Sequence, residues 1–549
     1  MNCGALGRVV DRRRSPRSTY GDCPATKPGN LALSKFITAK EVGVSLTPSA
    51  LPDYPIRLGA AEQFALVRGH LGDLALDRAS IYDTLPIKED GTLDNAKWAT
   101  TKAAVRPELA LAIDVFVRGD TVSEADFRAA YGEDTYYALC SLGLLRGDNA
   151  VPGRLASPVW LYQVDGFLIA SDRLEDAEGN AFAQPDDAVF PAFNHLTMRF
   201  LRILPDARGG DALDLCGGCG IGALHLARTA RAAASADLTP RAAFFTQFNA
   251  RLNGAAIESL CGDLYDPAGG RTYDLISAHP PFIAAVGAKR MIFRDADEFG
   301  ESIARRIVEG LPTRLRTGGT AILVFAGWDA AEPLELRAQE WLGDSADHFD
   351  VVLAEYTRTP IEKVISDIRK VQKDVTEADV AAFEQNLHAW GAERRIYGAL
   401  VFRRAERPAA PAPLRLQLSD EAAGPVLQRA VDWRAARRRD DFSARVAAAK
   451  PRPTPHVQMN ARHVVRDGRL VLEDFLFEMA EEILGRLKPD PWVVPSLMQF
   501  DGTRSVGEVF VAAQAGKALP RDFGMTDFTH LVSVMLERGF LDADAPHAT

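Results

Sequence analysis

Nine consecutive residues, Asp214-Leu215-Cys216-Gly217-Gly218-Cys219-Gly220-Ile221-Gly222, constrain this 549-residue chain more than any other stretch. They follow a short apolar run, Ala212–Leu215, and lead into a helical run, Ala223–Ala230. A strand that passes through glycines into a helix brings its backbone very close to a bound group, because glycine has no side chain to obstruct the approach. Phosphate and dinucleotide sites are both built this way, so the turn alone does not name its ligand. It lacks a Gly-Lys-Ser/Thr ending, which argues against a triphosphate P-loop.

The surroundings suit such a turn. Residues 185–405 alternate strand-like and helical runs, the pattern of an α/β fold with a mainly parallel sheet. The clearest buried strands are Ala212–Leu215, Tyr273–Ser277, Ala321–Phe325, Val351–Ala354 and Ile396–Phe402. A chain this long exceeds one core, and its composition divides it further. Residues 1–44 read as a disordered leader, rich in Arg, Pro and Ser and without the apolar core of a signal peptide. Residues 45–175 read as a helical unit. Leu109, Ala112, Ile113, Phe116 and Val117 recur at helical spacing, further helices centre on Phe127 and on Tyr136–Leu145, and a strand pair turns at Asp165-Gly166. Together these suggest a winged helix. The Pro/Ala-rich stretch 406–414 reads as a linker, and 415–549 as a third unit containing an amphipathic helix over 472–484.

Composition excludes several classes. No run approaches the roughly 20 apolar residues that span a bilayer, so no membrane partner is expected and the compartment is cytoplasmic. Six cysteines are too few for a disulfide framework in this length. A formal net charge of −10 weighs against a large nucleic-acid footprint.

The residues beyond the glycine turn narrow its chemistry. A second strand, Ala232–Ala236, ends in Asp237, where a carboxylate can accept both ribose hydroxyls; nicotinamide dinucleotides use the same geometry. Asp263, in Gly262-Asp263-Leu264-Tyr265, suits a hydrogen bond from an adenine amine. After the next strand comes His279-Pro280-Pro281-Phe282, a rigid turn for which a dehydrogenase has no use. On these residues, 211–330 resemble the class I S-adenosylmethionine-dependent methyltransferases with an Asn-Pro-Pro-aromatic motif. That group includes glutamine-amide and ribosomal-RNA guanine methyltransferases. Leu213–Ala227, Gly262–Pro267, Pro280-Pro281-Phe282 and Arg305–Gly319 resemble, more narrowly, a bacterial subgroup with an N-terminal winged helix, over roughly residues 100–405.

The resemblance implies a Rossmann-like methyltransferase sheet with helical or winged-helix domains at both ends, and S-adenosyl-L-methionine as cofactor. It implies that Asp214, Cys216, Gly218 and Gly220 line the methionine moiety. Asp237, with Leu238 beside it, holds ribose; Asp263 and Leu264 frame adenine; His279 and Phe282 serve cofactor and acceptor. Two residues depart from the family pattern. Cys216 stands where the first glycine is usual, and His279 replaces the Asn that holds the target nitrogen. An imidazole cannot offer an amide's donor and acceptor from one end. It can act as a general base, with an ordinary pKa near 6.5, which points to hydroxyl, carboxylate or imidazole-like acceptors.

Plainer readings stand beside these. Cys216 and Cys219 have no second Cys or His pair nearby, so they supply small side chains rather than a metal or redox site. Asp214 and Asp237 can be strand-end caps, His279 a neutral filler of the Asn slot, and Phe282 core. The run Arg434, Arg437, Arg438, Arg439 reads as a solvated helix face, and His195 as a neighbour of the cofactor entrance. Leu497–Val509 together with Leu536–Leu541 resembles winged-helix domains that recognise precursor peptides; a structural or dimerising role is the alternative. A peptide or protein side chain, or a peptide-derived product, is therefore the first acceptor class. RNA is the second, against the acidic balance. A non-catalytic cofactor-binding scaffold is the third.

Overall fold

The computed structural model describes residues 54–543 apart from 78–79, 82–83, 86–94, 149, 176–184, 288–291, 298, 372–374, 410 and 480. The expected leader, 1–44, lies outside the described residues. The central element is an 11-stranded sheet. Its strands in chain order are β1 (Asp211–Leu215), β2 (Ala232–Asp237), β3 (Ile257–Cys261), β4 (Tyr273–Ala278), β5 (Leu315–Asp329), β6 (Phe349–Pro360) and β7 (Arg394–Arg404). They continue with β8 (Leu414–Leu418), β9 (Val457–Arg466), β10 (Arg469–Met479) and β11 (Ile483–Leu487). Across the sheet they lie in the order β9-β10-β11-β8-β6-β7-β5-β4-β1-β2-β3.

All five strands expected from apolar runs are present. From β5 to β3 every pairing is parallel, so these strands end at one edge of the sheet. β7 departs from the expected direction: it runs antiparallel between β5 and β6. Ile396–Phe402 is buried on both faces, and a continuous apolar run reads the same whichever way the strand points.

Helices cover both faces. The helix Pro240–Asn253 begins at Thr239, whose hydroxyl accepts from Ala242 N–H, has Pro240 in its first turn, and stops at Gly254 in a left-handed conformation. The helix Ser302–Arg314 buries Ala304, Ile307, Val308 and Leu311, a stripe at helical spacing. The expected hairpin forms from Val159–Val164 and Phe167–Asp172, turning through Asp165 and Gly166 at positive φ. It does not belong to the small sheet beside the N-terminal helices, which pairs Val122–Ser123, Arg154–Ala156 and Arg146–Gly147. Instead Asn249 and Asn253 of the Pro240–Asn253 helix bind the backbone of Ala170 and Leu168, tying the hairpin to the cofactor-side helix.

Three expectations for the C-terminal part are corrected. β8 begins at the end of the expected linker and pairs parallel with β6, so the sheet runs on across it. The expected helix over 472–484 is replaced by strand: 472–479 fall in β10 and 483–484 in β11. Leu472, Phe475, Leu476 and Met479 do sit at helical spacing, but Phe475, Phe477 and Met479 also alternate. The Asp467-Gly468 turn, both residues at positive φ, closes a hairpin that selects the alternation. Nor is the arginine run a solvated face: Arg438 (5% exposed side chain) pairs with fully buried Asp350 of β6, and Arg434 and Arg437 pair with Glu537. Among the described residues no helix is long and apolar enough to cross a membrane.

Candidate cofactor and acceptor site

At the shared carboxyl edge of β1, β2, β3 and β4 lies a cavity of about 370 Å³. Edges of this kind, where loops meet helix N-termini, are where α/β sheets bind ligands. Its floor is the glycine turn. Gly218 adopts φ +54 with nothing within 4 Å of where a Cβ would point, so its open side belongs to the cavity. At Gly222 a Cβ would fall 2.5 Å from the Asp214 carboxylate, so only glycine lets the helix start this close to β1. Cys216 stands at φ +57, a left-handed conformation usually left to glycine. Two polar residues of the Pro240–Asn253 helix brace the turn. Thr246 donates to the Gly218 carbonyl at 3.1 Å and Asn249 to the Cys219 carbonyl at 2.8 Å. The spacing of the glycines does not reveal these braces, although Thr246 and Asn249 are polar side chains on the buried face of an otherwise apolar helix.

The expected acids take three environments. Asp214 is 2% exposed and accepts a hydrogen bond from Ser277 Oγ at 2.5 Å. Burial pushes its pKa up to about 7 against the lowering effect of Ser277 and the Ala223 N–H. Asp237 accepts from Gly218 N–H at 2.9 Å on one oxygen, and from Thr239 N–H at 3.1 Å and the Thr239 hydroxyl at 3.4 Å on the other. Burial pushes its carboxyl up as well, with those two amides pulling the other way. Asp263 stands at the rim, 42% exposed, and pairs with Arg306 at 2.7 Å. Leu238, 55% exposed, and Leu264, at φ +47, add apolar wall. Burial raises both turn thiols, Cys219 to about 12, which leaves them unreactive.

His279 lies between two rings, Phe200 at 5.2 Å and Phe282 at 5.8 Å, both nearly parallel to it. Its Nε2 is buried with no hydrogen-bond partner among the described residues. Burial lowers its pKa to about 4, so the imidazole is neutral at physiological pH. The apolar rings disfavour the cation, which favours the reading of His279 as a neutral filler of the slot over that of a base with the ordinary pKa near 6.5. The cavity beyond it is aromatic: Phe190, 46% exposed, stacks on Phe293 at 5.1 Å. Phe190, Phe200 and Phe293 come from distant segments, and nothing in their local sequence marks them. His195 is exposed at the start of the helix His195–Ile203 and does not line the cavity, but its neighbours Asn194, Leu196 and Thr197 do.

Fold and cavity together define a Rossmann-like α/β unit with a ligand site at the carboxyl ends of its parallel strands. Residues 193–339 match the family model described as methyltransferase small domain. A ribosomal RNA small subunit methyltransferase C from Alcanivorax borkumensis is 27% identical over 156 residues, 28% of this chain and 42% of that protein. The chain therefore spans less than half the length of the curated relative it matches. Among solved structures, the T. thermophilus 16S rRNA methyltransferase with AdoMet and guanosine aligns at 17% identity and TM-score 0.25, covering 52% of this chain and 65% of that one. Trm5b from Pyrococcus abyssi aligns at 14% identity and TM-score 0.27, covering 48% and 62%.

Proposed function

We propose that the chain is an S-adenosylmethionine-dependent methyltransferase whose acceptor is a planar base of RNA. One observation carries the cofactor assignment. The Asp237 carboxylate is half-buried at the end of β2 and braced by Gly218 and Thr239, yet the oxygen that takes the Gly218 N–H still has an unused acceptor site beside the cavity. One ribose hydroxyl would fill that site, and a second would displace the long bond from the Thr239 hydroxyl. Leu238 and Leu264 would bound the adenine, with Asp263 available to its amine by the oxygen that Arg306 leaves free. Asp214, whose pKa of about 7 sits at the physiological range, would ionise fully beside the cofactor's cationic end. When bound, the cofactor supplies an electrophilic methyl group.

The chain's own work is to hold the acceptor. A reactive atom must sit about 3–3.5 Å from the methyl, in line with it. The Pro280-Pro281 turn fixes His279 and Phe282, and the neutral imidazole offers one donor or one acceptor through Nε2, which has no partner among the described residues. An imidazole of such low pKa is a poor base, so His279 positions rather than deprotonates. The stacked wall of Phe190, Phe293, Phe282 and Phe200 favours a flat acceptor. RNA thus moves ahead of the peptide side chain, in keeping with the activity for which the matched relative is named. The helices before β1 and the C-terminal helices that pack beyond β8 would present the acceptor. The test is transfer of labelled methyl from the cofactor to protein-free ribosomal RNA, intact ribosomal subunits or peptides. Label in the RNA fraction is expected; label in peptide alone would return the acceptor to the peptide class.

A further inference from the structure

A second cavity, of about 620 Å³, opens where β6 and β8 meet the β10–β11 hairpin. Its walls carry the guanidinium groups of Arg358, Arg415, Arg486 and Arg538 and the amides of Gln417 and Gln458. Two carboxylates stand among them, and both buried oxygens of Glu355 lack a hydrogen-bond partner among the described residues. Glu355 pairs with Arg358 and lies 3.6 Å from Arg415, and Glu478 pairs with Arg486 at 2.8 Å. Asp329 and Glu335 close the Arg415 guanidinium from the far side. Arg538 has no ion-pair partner among the described residues, and Arg486 is 78% exposed. Since a guanidinium has five N–H donors and one carboxylate uses at most two, Arg358, Arg486 and Arg538 retain donors for an anion.

The position of this cavity gives it meaning. β6 and β8 run in the same direction as β1 to β5, so their carboxyl ends share an edge with the cofactor cavity. From β4 to β6 is three strand spacings, about 14 Å. Rings bridge the gap: Phe282 meets Tyr397 at 5.8 Å, and Tyr397 stacks on Tyr356 at 6.1 Å. The Arg199 guanidinium lies 5.0 Å from the Tyr356 ring. Both tyrosines are buried, so packed core and not an open stacking track lies between the two cavities.

We propose that this arginine cavity binds backbone phosphate of the acceptor strand, a few nucleotides from the base held beside His279; the proposal rests on the RNA reading above. It uses only residues outside the cofactor cavity, and the spare guanidinium donors of exposed Arg486 and Arg538 supply the hold on phosphate. The test is anisotropy of a labelled single-stranded oligoribonucleotide of about ten nucleotides on the full chain. The double variant Arg486→Ala/Arg538→Ala should weaken binding at least tenfold at low salt. It should also lower the slope of log K against log salt by about 1.4, at 0.7 for each phosphate no longer neutralised. Affinity for S-adenosylhomocysteine should be unchanged, and the single variant Arg486→Ala should show half the slope change if the double variant folds poorly. Unaltered oligonucleotide affinity and slope would overturn the proposal while leaving the RNA reading in place. A wild-type chain that binds S-adenosylhomocysteine but no oligonucleotide would overturn both. Competition by inorganic phosphate that the two substitutions abolish, with oligonucleotide binding unaffected, would make the cavity a free-phosphate site and also overturn it.

Discussion

An imidazole packed between Phe200 and Phe282 with its Nε2 unpaired holds a proton poorly, and that sets two expectations at the residue scale. First, kcat at saturating cofactor, where Asp214 is held ionised, should carry no inflection from His279 between about pH 5.5 and 8, because a group with pKa about 4 does not titrate there; an inflection near 6.5 in kcat that disappears in His279→Asn would contradict this. Second, the lowered pKa is a stability statement. Below its ordinary value of 6.5 the unfolded chain binds a proton that the folded chain refuses, so stability falls as pH drops from 6.5 to about 4. At about 1.36 kcal/mol per pKa unit the loss is about 3 kcal/mol, and denaturant melts of His279→Asn should lack it. The neighbouring turn offers a milder case. Cys216 at φ +57 carries strain of about 1 kcal/mol that glycine would not. Cys216→Gly should therefore raise Tm by about a degree, or leave it level once the added freedom of the unfolded chain offsets the gain, and should keep cofactor affinity. A clear drop in Tm would show that the thiol packs more than it strains.

Among elements, the join between the C-terminal helices and the sheet is the most exacting. Asp350 is fully buried at the start of β6, and Arg438 is its counter-charge. Removing one partner of a buried pair leaves an uncompensated charge, at a cost of about 3–5 kcal/mol. Arg438→Ala should show that loss in chemical denaturation, and adding Asp350→Asn should recover part of it; a loss below about 1 kcal/mol would mean water reaches Asp350. This join also marks where the sequence was opaque. Glycine-turn aspartates were legible because strand, turn and acid succeed one another within a few residues, so spacing alone placed Asp214, Asp237 and Asp263. The strands were legible because buried apolar runs are local. The direction of β7 was not, since burial on both faces hides it. In β10 two periodicities compete over Leu472, Phe475, Phe477 and Met479. Only the Asp467-Gly468 turn and the pairing with β9 decide between them, and pairing is a non-local fact. The aromatic wall was invisible for the same reason: Phe190, Phe200 and Phe293 meet only after folding.

At the scale of the whole molecule, one sheet carries two cavities on one edge, the first shaped for a nucleoside and the second for an anion. A net charge of −10 does not prevent this, because an anion site needs only a few local donors. Both cavities take their meaning from the ligand that enters the first. The most direct measurement is calorimetry of the full chain with S-adenosylhomocysteine, repeated with Asp237→Ala and with NAD as the alternative ligand. Binding of S-adenosylhomocysteine is predicted, weakened by about 2–3 kcal/mol in the variant, since a buried carboxylate's hydrogen bonds are worth about 1.5–3 kcal/mol each. NAD should not bind. No heat with S-adenosylhomocysteine, or tight binding of NAD in its place, would contradict the account.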